Sequence, residues 1–306
     1  MKRIVLSALL TVIYTLTIGQ NIKLYQAFQK PDGTRYVTIL NDNSIWWIAP
    51  GGESKWAQSS SNGLPSGYNV KFFQALQKRD GTRYYTVLND NTIWWIAPGG
   101  GATWKKTSSA GLPKGYKAKT FQAFQKPDGT RYVMILDDNT IWWIAPGNGA
   151  TWKQSSSNGL PSGYNVNFFQ ALQKRDGTRY YTVLNDNTIW WIAPGGGATW
   201  KKTSSNGLPN GYNIKLFQSF QKPDGTRYVT VLDDNTIWWI APGNGATWKK
   251  SSPNGLPSGY KIKAFQALQK RDGTRYYVVL EDNTIWWIAP GGGAAWAKTS
   301  LIGLPK

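Results

Sequence analysis

Paired tryptophans begin at Trp46, Trp94, Trp142, Trp190, Trp238 and Trp286, a step of 48 residues each time with no insertion or deletion. A third tryptophan keeps the same step at Trp56, Trp104, Trp152, Trp200, Trp248 and Trp296, and three per repeat over six repeats accounts for all 18. A strict period of this length marks a chain built from one supersecondary unit that stacks on copies of itself. The units fall near 21–68, 69–116, 117–164, 165–212, 213–260 and 261–306. Within 20–306 they leave no stretch for a second domain.

The second repeat shows the plan. Residues 70–77 (VKFFQALQ) are rich in aromatic and branched side chains and read as a strand. Arg79-Asp80-Gly81-Thr82 is a tight turn in which glycine supplies positive φ. Residues 83–88 (RYYTVL) form a second strand, Asn89-Asp90-Asn91 a second turn, and 92–97 (TIWWIA) the most apolar strand. That third strand is apolar on both alternations, Ile93 and Trp95 on one face and Trp94 and Ile96 on the other, so both faces must be covered. Pro98 and Gly99 to Gly101 end it, and 103–108 (TWKKTS) form a more polar fourth strand. No segment has helical periodicity.

Four short antiparallel strands repeated six times predict an all-β chain, a six-bladed β-propeller with one 48-residue repeat per four-stranded blade. The alternative is two β-trefoils of three lobes each. An alternation weighs against it. Repeats one, three and five carry Pro31, Pro127 and Pro223 where the others carry Arg79, Arg175 and Arg271. Phe28, Leu76, Phe124, Leu172, Phe220 and Leu268 alternate in step. A boundary after the third repeat would cut through one of these double units.

Lys2 and Arg3 followed by an apolar run from Ile4 to Ile18 read as a secretory signal over 1–19, cut between Gly19 and Gln20. The run falls short of the roughly 20 apolar residues of a membrane span, so an uncleaved anchor is the lesser alternative and stable membrane insertion is not expected. The expected location is secreted. Lys and Arg number 35 against 16 Asp and Glu, for a net charge of +19. Cys and His are absent, which removes disulfides and thiolate or imidazole metal sites.

The same absences remove the usual bases and nucleophiles, and no enzyme activity is expected. The carboxylates sit in turns, where Asp before Gly is ordinary turn chemistry. No metal or cofactor is expected, since a sixfold-copied ring of turn aspartates offers too few oxygens at one point for calcium. Copying suits binding better, because several equal weak sites on one ring give avidity. The first hairpin turn and the Gly-rich loop share one end of the blade. That end gathers an aspartate, an arginine and the third tryptophan, a set suited to stacking a sugar ring and bonding its hydroxyls. The candidate sugar-binding residues are Trp56, Trp104, Trp152, Trp200, Trp248 and Trp296; Arg35, Arg83, Arg131, Arg179, Arg227 and Arg275; and Asp32, Asp80, Asp128, Asp176, Asp224 and Asp272. The paired tryptophans are assigned to packing. The alternation of Arg79 and Pro31 predicts two groups of three pockets with unequal affinity.

Repeats of this length with tryptophan, Gly-rich loops and Asp-Gly turns resemble the β-propeller lectins of the tectonin and tachylectin kind. The resemblance is architectural and spans the whole array. It implies sugar pockets between neighbouring blades; with the signal, the expectation is a secreted, multivalent carbohydrate-binding protein with glycans as partners, and a monomer is expected. The positive charge departs from a plain sugar binder. It supports a second class, a cationic binder of anionic polymer such as sulfated glycan or lipopolysaccharide, and a third, an adhesive scaffold. Secretion argues against nucleic acid.

Overall fold

The structure is a computed structural model that describes residues 21–49, 54–78, 80–174, 176–243, 245–270, 272–291 and 293–299. The proposed signal over 1–19 lies outside them. The described residues hold 24 strands and no helix. The first repeat gives β1 (Ile22–Lys30), β2 (Gly33–Leu40), β3 (Ile45–Ile48) and β4 (Ala57–Gln58). The second gives β5 (Val70–Lys78), β6 (Gly81–Leu88), β7 (Ile93–Ile96) and β8 (Lys105–Lys106). The other repeats follow the same plan, ending with β21 (Ile262–Lys270), β22 (Gly273–Leu280), β23 (Ile285–Ile288) and β24 (Ala297–Lys298).

Each repeat is one antiparallel meander, so β1-β2-β3-β4 is a complete sheet, and six such sheets form the blades of a propeller. The trefoil alternative is thereby excluded. The fourth strand is shorter than the sequence suggests: only Lys105 and Lys106 pair, with Trp95 and Trp94. Thr103 and Trp104 before them follow the Gly-rich loop without pairing. The first strand carries a bulge near its start, between Val70 and Phe72 in β5, repeated in all six blades. The extra residue bends the strand and increases its twist, as blades around an axis require.

Register decides which side chains face which neighbour. Phe28 pairs with Arg35, Gln26 with Val37 and Val37 with Trp47, so these five share the face turned toward the second blade. Ala27, Tyr36 and Ile48 share the opposite face. The core is accordingly six apolar layers between blades. One joins Phe28, Val37, Ile39 and Ile45 to Val70, Ala75, Tyr84, Leu88, Ile96 and Trp104 of the next blade. Another joins Tyr277, Val279 and Ile285 of the sixth blade to Ile22, Ala27, Tyr36 and Trp56 of the first. That last layer closes the ring. Among the described residues no strand is exchanged at the seam. Instead Gln266 bonds both backbone groups of Ala27, and the Asn283 carboxamide accepts from the Ile22 amide at 3.1 Å and donates to Asn21. Asn21 thus sits at the seam, as expected of the array's first residue; Lys306 lies outside the described residues.

Candidate functional site

The paired tryptophans take different environments because neighbours along a strand point to opposite faces. Trp94 faces the preceding blade, and its indole N–H donates to Thr92 Oγ1 at 2.7 Å. That hydroxyl in turn donates to Asp90 at 2.7 Å. Trp95 faces the following blade and is half-buried. Its equivalent Trp47 is 36% exposed, the most open large apolar side chain among the described residues.

Beside Trp95, across β6, lies Arg83. The Arg83 guanidinium donates to the Thr82 carbonyl at 3.0 Å and to Asp80 at 2.9 Å. The same fork recurs in every blade, with Arg–Asp distances of 2.6 to 2.9 Å. The arginine is thus fixed across the mouth of a groove between this blade and the next. Trp95, Arg83, Lys78 and Lys106 form one wall, and Thr130, Pro146 and Gly147 of the third blade form the other. Its volume is about 560 Å³. Five such grooves are described, one at each junction from the first blade to the sixth, of 390 to 560 Å³. Pockets of this size suit a sugar-sized ligand.

The groove lies at the blade end predicted from the sequence, but with a different tryptophan. Trp56, Trp104, Trp152, Trp200, Trp248 and Trp296 are only 3 to 4% exposed and belong to the layers between blades. The Trp104 indole donates to the Ser60 carbonyl at 3.0 Å, and its backbone amide donates to the Asn62 carbonyl at 2.9 Å. The chain leaving the first blade folds over this ring and covers it. Gly63, at φ 90°, approaches so closely that a Cβ there would lie 2.8 Å from the Trp104 carbonyl oxygen. The aspartates (Asp32, Asp80, Asp128, Asp176, Asp224 and Asp272) hold the arginines rather than lining the grooves. The ring available to a ligand is the second of each pair: Trp47, Trp95, Trp143, Trp191 and Trp239.

Groove floors alternate. At the second-to-third junction the floor is Tyr85 against Tyr132, with ring centroids 5.2 Å apart, and the fourth-to-fifth junction repeats it with Tyr181 and Tyr228. At the first-to-second junction Val37 replaces that tyrosine, and Phe28 meets Tyr84 instead at 6.5 Å. Phe28 thus compensates for the small Val37, and Leu76 for the large Tyr85. Arg79, Arg175 and Arg271, on which the expected two groups of pockets rested, lie outside the described residues. Burial pushes the phenols of Tyr84 and Tyr85 up to about 12, offset in part by nearby Arg35 for Tyr84 and by Thr130 and Arg83 for Tyr85. These floors are neutral at any ordinary pH.

The opposite end of the blades is structural. Asn91 adopts φ 64°, and its side chain accepts from the Ala118 amide of the next blade at 2.9 Å while Tyr116 bonds its carbonyl. Asp90 caps its own turn through Thr92. The described residues contain no group of three or more Asp or Glu side chains placed to hold a metal ion.

No protein-family profile matches the chain, and no curated protein matches it in sequence. Solved structures match in shape. The fucose-specific lectin from Aleuria aurantia aligns with a TM-score of 0.57 at 12% identity, covering 94% of this chain and 98% of that one. The protein AofleA from Arthrobotrys oligospora gives 0.57 at 14%, covering 93% and 88%. The periplasmic gluconolactonase of Pseudomonas aeruginosa gives 0.50 at 12%, covering 92% and 86%. At these identities the likeness is one of fold; the Aleuria aurantia lectin is described as a six-bladed β-propeller, and that is the fold of this chain.

Proposed function

We propose that this chain is a multivalent carbohydrate-binding protein whose sugars stack in the grooves between blades. The observation that carries the reading is the indole of Trp47, 36% exposed on an otherwise closed blade, beside Arg35, in an arrangement copied around the ring. An indole with part of its face open at a groove offers a flat apolar surface that a ligand ring can cover. The apolar face of a pyranose covers such a ring, and a guanidinium already held by a carboxylate presents its remaining donors without a further entropy cost. The shape match to fucose-specific propellers supports the reading. The positively charged, apolar leader supports secretion. Aspartates already held by arginines, with no carboxylate lining the five described grooves, favour binding over hydrolysis.

Converting Trp47, Trp95, Trp143, Trp191, Trp239 and Trp287 together to Ala is expected to abolish agglutination of sugar-coated beads while the fold is kept. Agglutination at full strength by a folded variant would refute the assignment. A glycan array identifies the sugar.

A further inference from the structure

Strand pairing sets one further residue beside each groove tryptophan. On the outermost strand Lys105, Lys153, Lys201 and Lys249 stand opposite Trp95, Trp143, Trp191 and Trp239. Directly opposed residues share a face of the sheet. Each ammonium accordingly lies over the ring of its partner, 5.5 to 5.8 Å from the centroid. The indole face carries the negative part of the ring quadrupole and attracts the cation. These lysines are exposed, so water competes and the attraction is modest.

The first and last repeats depart from this pattern. Ala57 stands opposite Trp47, and Ala297 opposite Trp287. A methyl group cannot reach over an indole. At Trp287 a guanidinium takes the lysine's place, with Arg275 lying 6.0 Å from the ring centroid. At Trp47 no cation lies over the ring among the described residues. Trp47 is 36% exposed, whereas the other five groove tryptophans are half-buried. Its groove still has Lys30 and Arg35 as hydrogen-bond donors. The difference follows the ends of the array rather than the alternation of double repeats.

Resting on the groove reading above, we infer that the grooves are unequal and that the Trp47 groove is the primary site for a neutral saccharide. Lys105, Lys153, Lys201 and Lys249 act as covers at the other four described grooves. A pyranose that stacks on those rings displaces an ammonium first, whereas on Trp47 it displaces only water. Loss of an exposed cation–ring contact weakens binding by about two- to fivefold. The residue opposite the tryptophan thus sets the rank of each groove.

The test uses the purified full chain with methyl α-L-fucoside, methyl α-D-mannoside and methyl N-acetyl-β-D-glucosaminide. Crystals soaked in sub-saturating sugar are expected to show it first in the Trp47 groove. Ala57→Lys copies the residue that four blades carry, so it should fold, and it is expected to remove that precedence. The quadruple variant Lys105→Ala, Lys153→Ala, Lys201→Ala, Lys249→Ala copies the residue of the first and last blades. Its mean affinity by titration calorimetry is expected to rise about two- to fivefold. Equal occupancy of the grooves in the original chain, or a quadruple variant that binds no tighter, would overturn the ranking and leave the groove reading standing, provided loss of the groove tryptophans abolishes binding. Sugar found away from the grooves, binding that survives loss of those tryptophans, or binding of none of the three sugars would overturn the groove reading itself.

Discussion

Gln26 hydrogen-bonds both backbone groups of Ala75 on the next blade, its Nε2 donating to the carbonyl at 2.8 Å and its Oε1 accepting from the amide. The same double bond joins Gln122 to Ala171, Gln170 to Ser219, Gln218 to Ala267 and Gln266 to Ala27, and Gln74 accepts from the Ala123 amide. A side-chain amide thus stands in for a peptide group between inner strands that belong to different sheets. Through Gln266 it also ties the last blade to the first, where no strand among the described residues is shared.

Replacing Gln266 by Ala therefore strands two backbone groups of Ala27, which is fully buried. The expected cost is about 1–3 kcal/mol. Urea unfolding should show a lower midpoint with the slope nearly unchanged. Loss of cooperativity would show that the seam blades had separated from the rest.

The two tryptophan classes should respond in opposite ways. Trp104→Ala removes a ring that is 3% exposed and already bonded to the preceding chain segment, and should cost about 3–5 kcal/mol. Trp95→Ala removes a half-buried ring and should cost less than about 2 kcal/mol while weakening sugar binding. Thermal melting of the two single variants, read beside binding, decides it.

This reverses the assignment made from sequence, and the reason is physical. Period and strand pattern are local, and they correctly gave six four-stranded blades and the alternation that sends Trp94 and Trp95 to opposite faces. What covers Trp104 is not local. It is the segment from Ser60 to Gly63, 44 residues earlier at its indole contact, folding across from the preceding blade. Two lysines and a run of glycines beside Trp104 suggested an open surface. Gly63 with its positive φ was the available signal, since such a glycine marks a close backbone approach. Likewise Gln26 looked like any polar strand residue, because its partner lies in another blade. Arg83 was legible, because an Arg three residues after a turn aspartate pairs with it locally.

Asn91→Ala should destabilise by about 2 kcal/mol. One part comes from the left-handed conformation at φ 64°, which asparagine tolerates better than alanine. The other comes from the Ala118 amide, which loses its acceptor in the next blade. Asn91→Gly should recover only the first part, so the order of melting temperatures should be wild type, then Gly, then Ala.

Alkaline pH should unfold the ring. Burial pushes Tyr84, Tyr85, Tyr180, Tyr181 and Tyr276 up to about 12, against an ordinary value of 10.0. The unfolded chain then gives up these protons first, so their contribution is fully present below pH 10 and is lost as pH rises toward 12. Each pH unit in that window removes about 1.4 kcal/mol per phenol. Lys23 and Lys119, lowered by burial, act in the opposite sense but are few. Phenolate absorbance and tryptophan fluorescence followed together should change in one cooperative step above pH 10. Gradual phenolate formation with fluorescence unchanged would show that the tyrosines are open to solvent.

Asp80→Asn separates the structural from the binding role of the arginine fork. The Asp80 side chain is 60% exposed and Arg83 is 18% exposed. An ion pair this open contributes at most about 1 kcal/mol, so the melting temperature should barely move. Asparagine keeps an oxygen that can accept from Arg83, so the guanidinium stays near its place across the groove mouth. What changes is charge: the arginine and Lys78 lose their counter-ion, and the groove gains one net positive charge. Acidic sugar should then bind more tightly at low salt, and neutral sugar should bind as before. Asp80→Ala differs in removing the acceptor as well, which frees the guanidinium to move and should weaken both ligands. Carried through all six repeats and read by calorimetry, the pair of substitutions distinguishes a counter-ion from a direct ligand. Were Asp80 itself to bond sugar hydroxyls, Asn would weaken neutral and acidic sugars alike, and the aspartate would return to the binding site.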